Sequence, residues 1–375
     1  MRADIHESFL CLIRLGIGTS KDAKIPKEID WKALKSLADK QGLSAIILDA
    51  LNTEGTNLTD GMPLELKLEW IGEVLQNYEQ RYEQYKKAIG SLSGFYNRHG
   101  FKMMVLKGYA CSLDWPRPEH RPCGDIDIWL FRKQKEADKA LLNENDNKIE
   151  VDRSQHHHTV FEWNGFTVEN HYDFINVHHH PSHRGLETIF KELGKECYTD
   201  ITDNTEKGIQ HQCVEVCGEK VYLPSPNLHA LFLLRHALNH FPSIGINLRN
   251  VLDWAFFVEK HTNEIDWKWL ESMIDEYHMR NFYNSINAIC VNDLGFSPSI
   301  FPSVQFLPRL KERVLKDILN PEFTIAEPNG FFRKWLHKYH RWYGNKWKHE
   351  LCYKESMWSA FWSGVWGHLL KPASI

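Results

Sequence analysis

An α+β chain is expected, with a strand-bearing centre set between two helical regions, and three patterns lead there. From residue 4 to residue 98 apolar residues recur at helical spacing, as in Phe9, Leu12 and Ile13 and again in Trp31, Leu34, Leu37 and Ala38. The middle of the chain changes to short apolar runs and alternation, above all GDIDIWLF and two β-rich runs joined by Asn164-Gly165. Past Leu223-Pro224-Ser225-Pro226 helical spacing returns at Leu228, Leu231, Phe232 and Leu234. The expected division is therefore 1–98 helical, 99–223 α/β core and 224–375 helical. No internal repeat or low-complexity linker separates these parts, so they are expected to pack as one body.

Each element has a local reason. The segment from Leu64 to Tyr96 is rich in Glu, Lys, Gln and Leu, strong helix formers, and Gly100 is its expected stop. FKMMVLKG reads as a short strand ending at Gly108, followed by a helix from Tyr109 to Leu113 and a Pro-rich loop from Trp115 to Pro122. GDIDIWLF alternates acid and isoleucine before turning apolar, which suits a strand with one polar end. A Lys/Glu/Ala-rich helix follows. His157 to Trp163 and Phe166 to Phe174 form a hairpin closed by Asn164-Gly165, and Cys213 to Leu223 reads as a strand. Helix resumes at Leu228 and continues through Leu248 to Val258.

Composition narrows the function. The 375 residues, 42% hydrophobic and 25% charged, exclude a single small module and a broadly disordered chain. The net charge of −4 advertises neither a nucleic-acid nor an acidic-membrane partner. The eight cysteines are scattered without the density of a secreted disulfide scaffold, and Cys213 with Cys217 lacks a second pair at zinc spacing. Arg14 interrupts the first apolar stretch, unlike a secretory signal, and Trp358 to Leu370 is too short to span a bilayer. A cytoplasmic protein without a transmembrane segment is expected.

The chemistry concentrates around one acidic strand. Side chains alternate along a strand, so Asp125 and Asp127 project from one face while Ile126 and Ile128 point to the buried side. Two converging carboxylates repel unless a cation intervenes, and hard oxygen ligands at this spacing suit Mg²⁺ carrying substrate phosphates. Seventeen residues before Asp125, Gly108 ends one strand and opens a helix, where the backbone can approach a phosphate. Lys107 adds a charge there, and Arg121 adds a fork of donors. On the hairpin's second strand Thr167, Glu169, His171 and Asp173 share a face; Glu169 is favoured over Asp173 as a third carboxylate because it lies nearer the strand centre.

LKGYACSLDWPRPEHRPCGDIDIWL resembles the signature of an uncharacterised nucleotidyltransferase family within the polymerase-beta-like superfamily. Lys107-Gly108, Arg121 and Gly124-Asp125-Ile126-Asp127 carry the likeness, which extends to DWKALKSLADKQGLSAIILDAL, VENHYDF, LLRHALNHF and INLRNVLDWAFFV, roughly residues 9 to 260. It implies a core with a small mixed β-sheet. It also implies Mg²⁺ or Mn²⁺ on Asp125, Asp127 and Glu169 and nucleotide phosphates at Gly108; with Lys107, Arg121 and Gly124 beside it, that turn is expected to hold a nucleoside triphosphate. Tyr109 stands where a second small residue is usual in the phosphate turn, and Asn170 where an apolar residue is usual.

The resulting expectation is a metal-dependent nucleotidyltransferase that passes a nucleoside monophosphate to an unidentified acceptor, taken as a hydroxyl, and releases pyrophosphate. Two other classes compete with it: a nucleotide-binding or protein-interaction module without turnover, and a metal hydrolase built on the histidine runs. Those runs, His156 to His158 and His178 to His180 with His183, are read first as solvated surface beside the hairpin. Arg249 and Asp253, four apart on one helix, are read first as a salt bridge between helices, and His240 is left with them outside the catalytic set. The tail from Phe331 holds six of the fourteen tryptophans among basic residues, and is read as packing its rings on the body beneath snorkelling cations.

Overall fold

The computed structural model describes residues 5–21, 29–52, 61–144, 149–178, 180–202, 213–302, 305–322, 330–359 and 362. In the N-terminal region α1 (Ile5–Gly16), α2 (Trp31–Gln41) and α3 (Ser44–Leu51) precede α4 (Leu64–Val74), which runs through a π-helical stretch, Leu75–Gln80, into α5 (Arg81–Arg98). The α2 helix begins where Asp30 accepts the Ala33 N–H at 3.0 Å. It is Gly100 that stops α5, with φ at +75° while the Phe101 N–H returns to the Tyr96 carbonyl at 2.9 Å.

Six strands follow: β1 (Met104–Val105), β2 (Ile126–Trp129), β3 (His158–Trp163), β4 (Phe166–His171), β5 (Cys213–Val216) and β6 (Glu219–Tyr222). They form one mixed sheet in the order β3-β4-β2-β1-β6-β5. Strands β2 and β4 run parallel with Asp127 opposite Glu169, whereas β3 and β4 are antiparallel with His158 opposite His171. The expected hairpin closes at Asn164 and Gly165, both at positive φ, as a two-residue turn of the favoured hand requires. The run from Cys213 is instead a hairpin of its own, because Cys217 and Gly218 also take positive φ and turn the chain back. Between the strands lie α6 (Tyr109–Ser112), α7 (Gln134–Glu144) and α8 (His183–Thr202); the last has no counterpart among the helices expected from the sequence.

The sheet has two differently covered faces. Ile126, Ile128, Phe161 and Val168 pack beneath Tyr85, Ile89 and Leu92 of α5 in one apolar cluster. On the other face Met104, Leu106 and Trp129 join Leu186 and Phe190 of α8 in a larger cluster that reaches the N-terminal and C-terminal helices alike. The C-terminal region comprises α9 (Pro226–Ser243), α10 (Leu248–His261), α11 (Trp267–Glu276), α12 (Arg280–Asn292), α13 (Pro308–Leu319), α14 (Phe331–Gly344) and α15 (Lys346–Cys352). Among the described residues no helix is long and apolar enough to cross a membrane.

In the tail, Trp347 packs 5.7 Å from the Phe241 ring with Arg313 over it at 4.0 Å, and Lys348 is buried against Asp317 at 2.6 Å, so packing beneath cations holds there. Trp358 and Trp362 depart from it, being 64% and 58% exposed. Cys213 and Cys217 sit on the β5 strand and in its turn, both as free thiols.

Candidate active site

Alternation along β2 and β4 decides what meets on the face away from α5. Ile126, Ile128 and Val168 go to the α5 side, which leaves Asp127 and Glu169 side by side on adjacent strands and His171 two residues further along. Asp125, just before β2, is exposed at the mouth of the same place. Lys107 and Gly108 arrive from the end of β1. The cleft they line has a volume of about 1060 Å³ and is walled on its far side by α9 and the start of α10.

Asp127 is the hub. It is 1% exposed, and its Oδ1 lies 2.7 Å from Lys107 Nζ and 3.2 Å from His171 Nε2. Its Oδ2 is buried with no hydrogen-bond partner among the described residues. Burial alone would push this carboxyl up, but Lys107 and His171 outweigh it and hold it well below the usual range. Asp125 moves the other way, raised by the charge of Asp127 beside it. Two carboxylates with separated proton affinities share one end of the cleft.

His171 is the second organising residue. Its Nδ1 lies 3.2 Å from the Asp173 carbonyl, which can only accept, so Nδ1 carries a hydrogen and Nε2 faces Asp127 and, at 3.6 Å, Glu169. Burial opposes its charge, yet the two carboxylates raise it to about 9. Burial would raise Glu169 in turn, but the neighbouring His171 and the charges of Lys107 and His158 outweigh that and lower it. His158 lies across from His171 with its Nε2 3.8 Å from Glu169, and burial lowers it to about 4.

The ligand atoms of Asp127, Glu169 and His171 lie within 4.8 Å of one another, as do those of His157, His158 and His171. A divalent cation fits this place: the donors are hard oxygens beside an imidazole, and a buried carboxylate oxygen of Asp127 has no hydrogen bond to give up. The histidine runs are thus not simply solvated surface. His158 and His180 are buried, and the His157 and His158 rings stand 5.5 and 5.1 Å from that of His171. His179 lies outside the described residues.

The Lys107-Gly108 turn has an unusual construction. Gly108 sits at φ +47° and ψ −98°, and a Cβ there would come within 2.4 Å of the Tyr85 hydroxyl. That hydroxyl donates to the Asp125 carbonyl at 2.7 Å, so the turn and the first carboxylate are tied to α5 together. Tyr109, in the place of a second small residue, turns into the core and stacks on Tyr82 at 6.2 Å. The helix that follows is only four residues long, shorter than the sequence suggested. Asn170 is polar because it faces away from the cleft and donates to buried Asp138 on α7 at 2.8 Å.

Arg121 and Arg249 exchange the parts expected of them. Arg121 is 7% exposed, and its Nε and Nη2 donate to the two oxygens of Asp253 at 2.8 and 2.9 Å. Trp115 Nε1 occupies the same carboxylate at 2.9 Å, so the salt bridge of Asp253 is with Arg121 and not with Arg249. Arg121 is therefore a buried tie between the loop before β2 and α10, where a free donor to a triphosphate was expected. Arg249 makes no ion pair among the described residues, and its Nε is buried without a partner. Burial and the nearby Arg121 both lower it. It lines the cleft, as do Gly124 and the helical pair His236 and His240. His236 Nε2 stands 3.5 Å from Lys107 Nζ; its spacing of four from His240 was the available sign that both share one face of α9. Asp173 ion-pairs with Lys191.

No curated protein and no solved structure matches the chain. A family model described as "uncharacterised nucleotidyltransferase" matches residues 27–292, which take in the carboxylate strands, the Lys107-Gly108 turn and the helices that wall the cleft, and the chain belongs to that family.

Proposed function

We propose that the chain transfers a nucleoside monophosphate from a nucleoside triphosphate to an acceptor hydroxyl and releases pyrophosphate. One observation carries this reading above the rest: Asp127 and Glu169 stand opposite each other on parallel strands with Asp125 beside them, next to a glycine turn and an arginine that has no ion pair among the described residues. Carboxylates with Lys107 among them on one side of a cleft and Arg249 on the other suit a substrate whose triphosphate must be held by charge.

Asp125, Asp127 and Glu169 would hold Mg²⁺, which supplies charge neutralisation and polarisation of the transferred phosphoryl group when bound. The protein's own groups do the rest. Lys107 and Arg249 draw the triphosphate into the cleft, and the backbone of Gly108 and Gly124 lets it approach closely. The acceptor oxygen forms a bond to the α-phosphorus as the bond to the pyrophosphate oxygen breaks, and the acceptor proton passes to Glu169, whose side chain keeps 25% exposure to the cleft. His171, fixed through Nδ1 on the Asp173 carbonyl, holds both inner carboxylates in place.

The test is thermal melting with ATP, GTP, CTP and UTP, each with and without Mg²⁺, followed by pyrophosphate release in the presence of hydroxyl-bearing acceptors. A nucleotide at 100 times its Kd should add about 2.7 kcal/mol of stability. Asp125→Ala, at an exposed position, should leave the unliganded melting curve in place and abolish both the shift and turnover. Full turnover in that variant would refute the proposal.

A further inference from the structure

We propose that the inner cation position is a mixed carboxylate and imidazole site, built from Asp127, Glu169, His171 and His158, and that it selects a transition ion such as Mn²⁺ or Zn²⁺ over Mg²⁺. The inference rests on the nucleotidyltransferase reading for its place in the cleft, and on sheet geometry for its ligands.

The four residues lie on three neighbouring strands, one face of one sheet. The parallel pairing of β2 and β4 sets Asp127 beside Glu169; the antiparallel pairing of β3 and β4 sets His158 opposite His171. Donors bound to one ion at about 2.0 to 2.2 Å stand about 3.0 Å apart across an octahedral edge and about 3.4 Å apart in a tetrahedron. The measured separations are 3.2 Å from His171 Nε2 to Asp127 Oδ1, 3.6 Å from His171 Nε2 to Glu169 Oε2, and 3.8 Å from His158 Nε2 to Glu169 Oε1. The donors of Asp127, Glu169 and His171 already lie within 4.8 Å of one another, and His158 joins them by moving towards the Glu169 carboxylate that it faces.

Two further features single out a metal ligand. Hydrogen-bonding of the His171 Nδ1–H to a backbone carbonyl is the support that fixes a ligating imidazole's tautomer, and Nε2 turns to the ion as its own proton is released to solvent on metal binding. Lys107 and His171 both contact Oδ1 of Asp127, and its buried Oδ2, without a hydrogen-bond partner among the described residues, is the oxygen left for an ion after a small turn of the carboxylate. Imidazole nitrogen suits borderline ions, whereas Mg²⁺ prefers an all-oxygen shell that keeps its waters. Asp125, exposed and outside this group of four, leaves an all-oxygen position with Asp127 for the ion that travels with the nucleotide.

The test is Mn²⁺ binding to the tag-free full-length chain, read by electron paramagnetic resonance with electron spin echo modulation for ¹⁴N. Expected are nitrogen couplings from directly bound imidazole, an affinity for Mn²⁺ at least ten times that for Mg²⁺, and displacement by Zn²⁺. His158→Gln should lose part of the nitrogen modulation and about tenfold in affinity, and His171→Gln more; melting curves without metal establish that both variants fold. Asp125→Ala should keep the nitrogen couplings. Bound Mn²⁺ without nitrogen modulation, a spectrum of free aqueous ion throughout, or modulation unchanged in His158→Gln would each overturn the inference. The two readings fail separately: nitrogen-ligated Mn²⁺ without pyrophosphate release would remove only the reaction, and Mg²⁺-supported turnover on an oxygen-only ion would remove only this site.

Discussion

Replacing Gly108 by alanine tests how the Lys107-Gly108 turn is built. The φ of +47° with ψ of −98° is a region that L-residues avoid, and forcing one there costs about 1–3 kcal/mol. The added Cβ would also meet the Tyr85 hydroxyl at 2.4 Å, far inside van der Waals contact, so the phenol must swing away from the Asp125 carbonyl. Losing that hydrogen bond costs about 1 kcal/mol more. Gly108→Ala should therefore destabilise by about 2–4 kcal/mol. Tyr85→Phe removes the clashing atom, because the next ring atom, Cζ, is 3.6 Å from where the methyl would sit and can stay. In that background the same substitution should cost only the backbone strain. A double-mutant cycle of Gly108→Ala and Tyr85→Phe, measured by urea unfolding, should give a coupling of about 1 kcal/mol or more. Equal costs in the two backgrounds, or a cost below about 0.5 kcal/mol for Gly108→Ala alone, would refute the argument.

Two other changes separate charge from architecture. Arg249→Ala removes a cation that has no ion pair among the described residues, so melting should stay in place while affinity for nucleoside triphosphate by calorimetry falls about 10- to 100-fold; unaltered affinity would return Arg249 to a structural role. His229, 5% exposed beside Cys111 and Phe257, is lowered by burial to about 4. Its folded-state affinity for protons is below the unfolded value of about 6.5, so the unfolded chain gains protons first and stability falls as pH drops from 6.5 towards 4, by about 2 kcal/mol at pH 5. His229→Leu should shrink the loss between pH 7 and pH 5 in urea titrations by that amount, and an identical loss in both proteins would contradict the assignment.

What the sequence discloses here depends on how local the cause is. The Asn164-Gly165 hairpin and the alternation through Asp125 and Asp127 are legible because each is fixed by a few adjacent residues. The same turn already contained more: a two-residue loop pairs Trp163 with Phe166, and counting back sets His158 opposite His171, which a reading of the histidines as solvated surface passes over. The Cys217-Gly218 turn escaped because cysteine rarely takes positive φ, and nothing near it announces a second hairpin. Arg121 was beyond reach for a different reason. Its partner Asp253 is 132 residues away, and so a fork of donors just ahead of the carboxylates looks free in one dimension and is spent in three.

That long-range pairing bears on what the working unit is. The sheet supplies the carboxylates, but the cleft exists only where α9 and α10 stand against it, and the ties across that boundary are buried. Gln41 at the end of α2 donates to the Ile318 carbonyl on α13 at 2.8 Å and accepts the Leu248 N–H at the start of α10 at 2.7 Å, one amide joining three segments. Further along α10, Asp253 grips Arg121 and Trp115 from the loop that leads into β2. Breaking one partner of such a buried pair costs about 3–5 kcal/mol, since the charge left behind is uncompensated. The loop that leads to Asp125 and the helix that carries Arg249 are therefore held by the same contacts, and the wall of the cleft facing the carboxylates comes from outside residues 99–223.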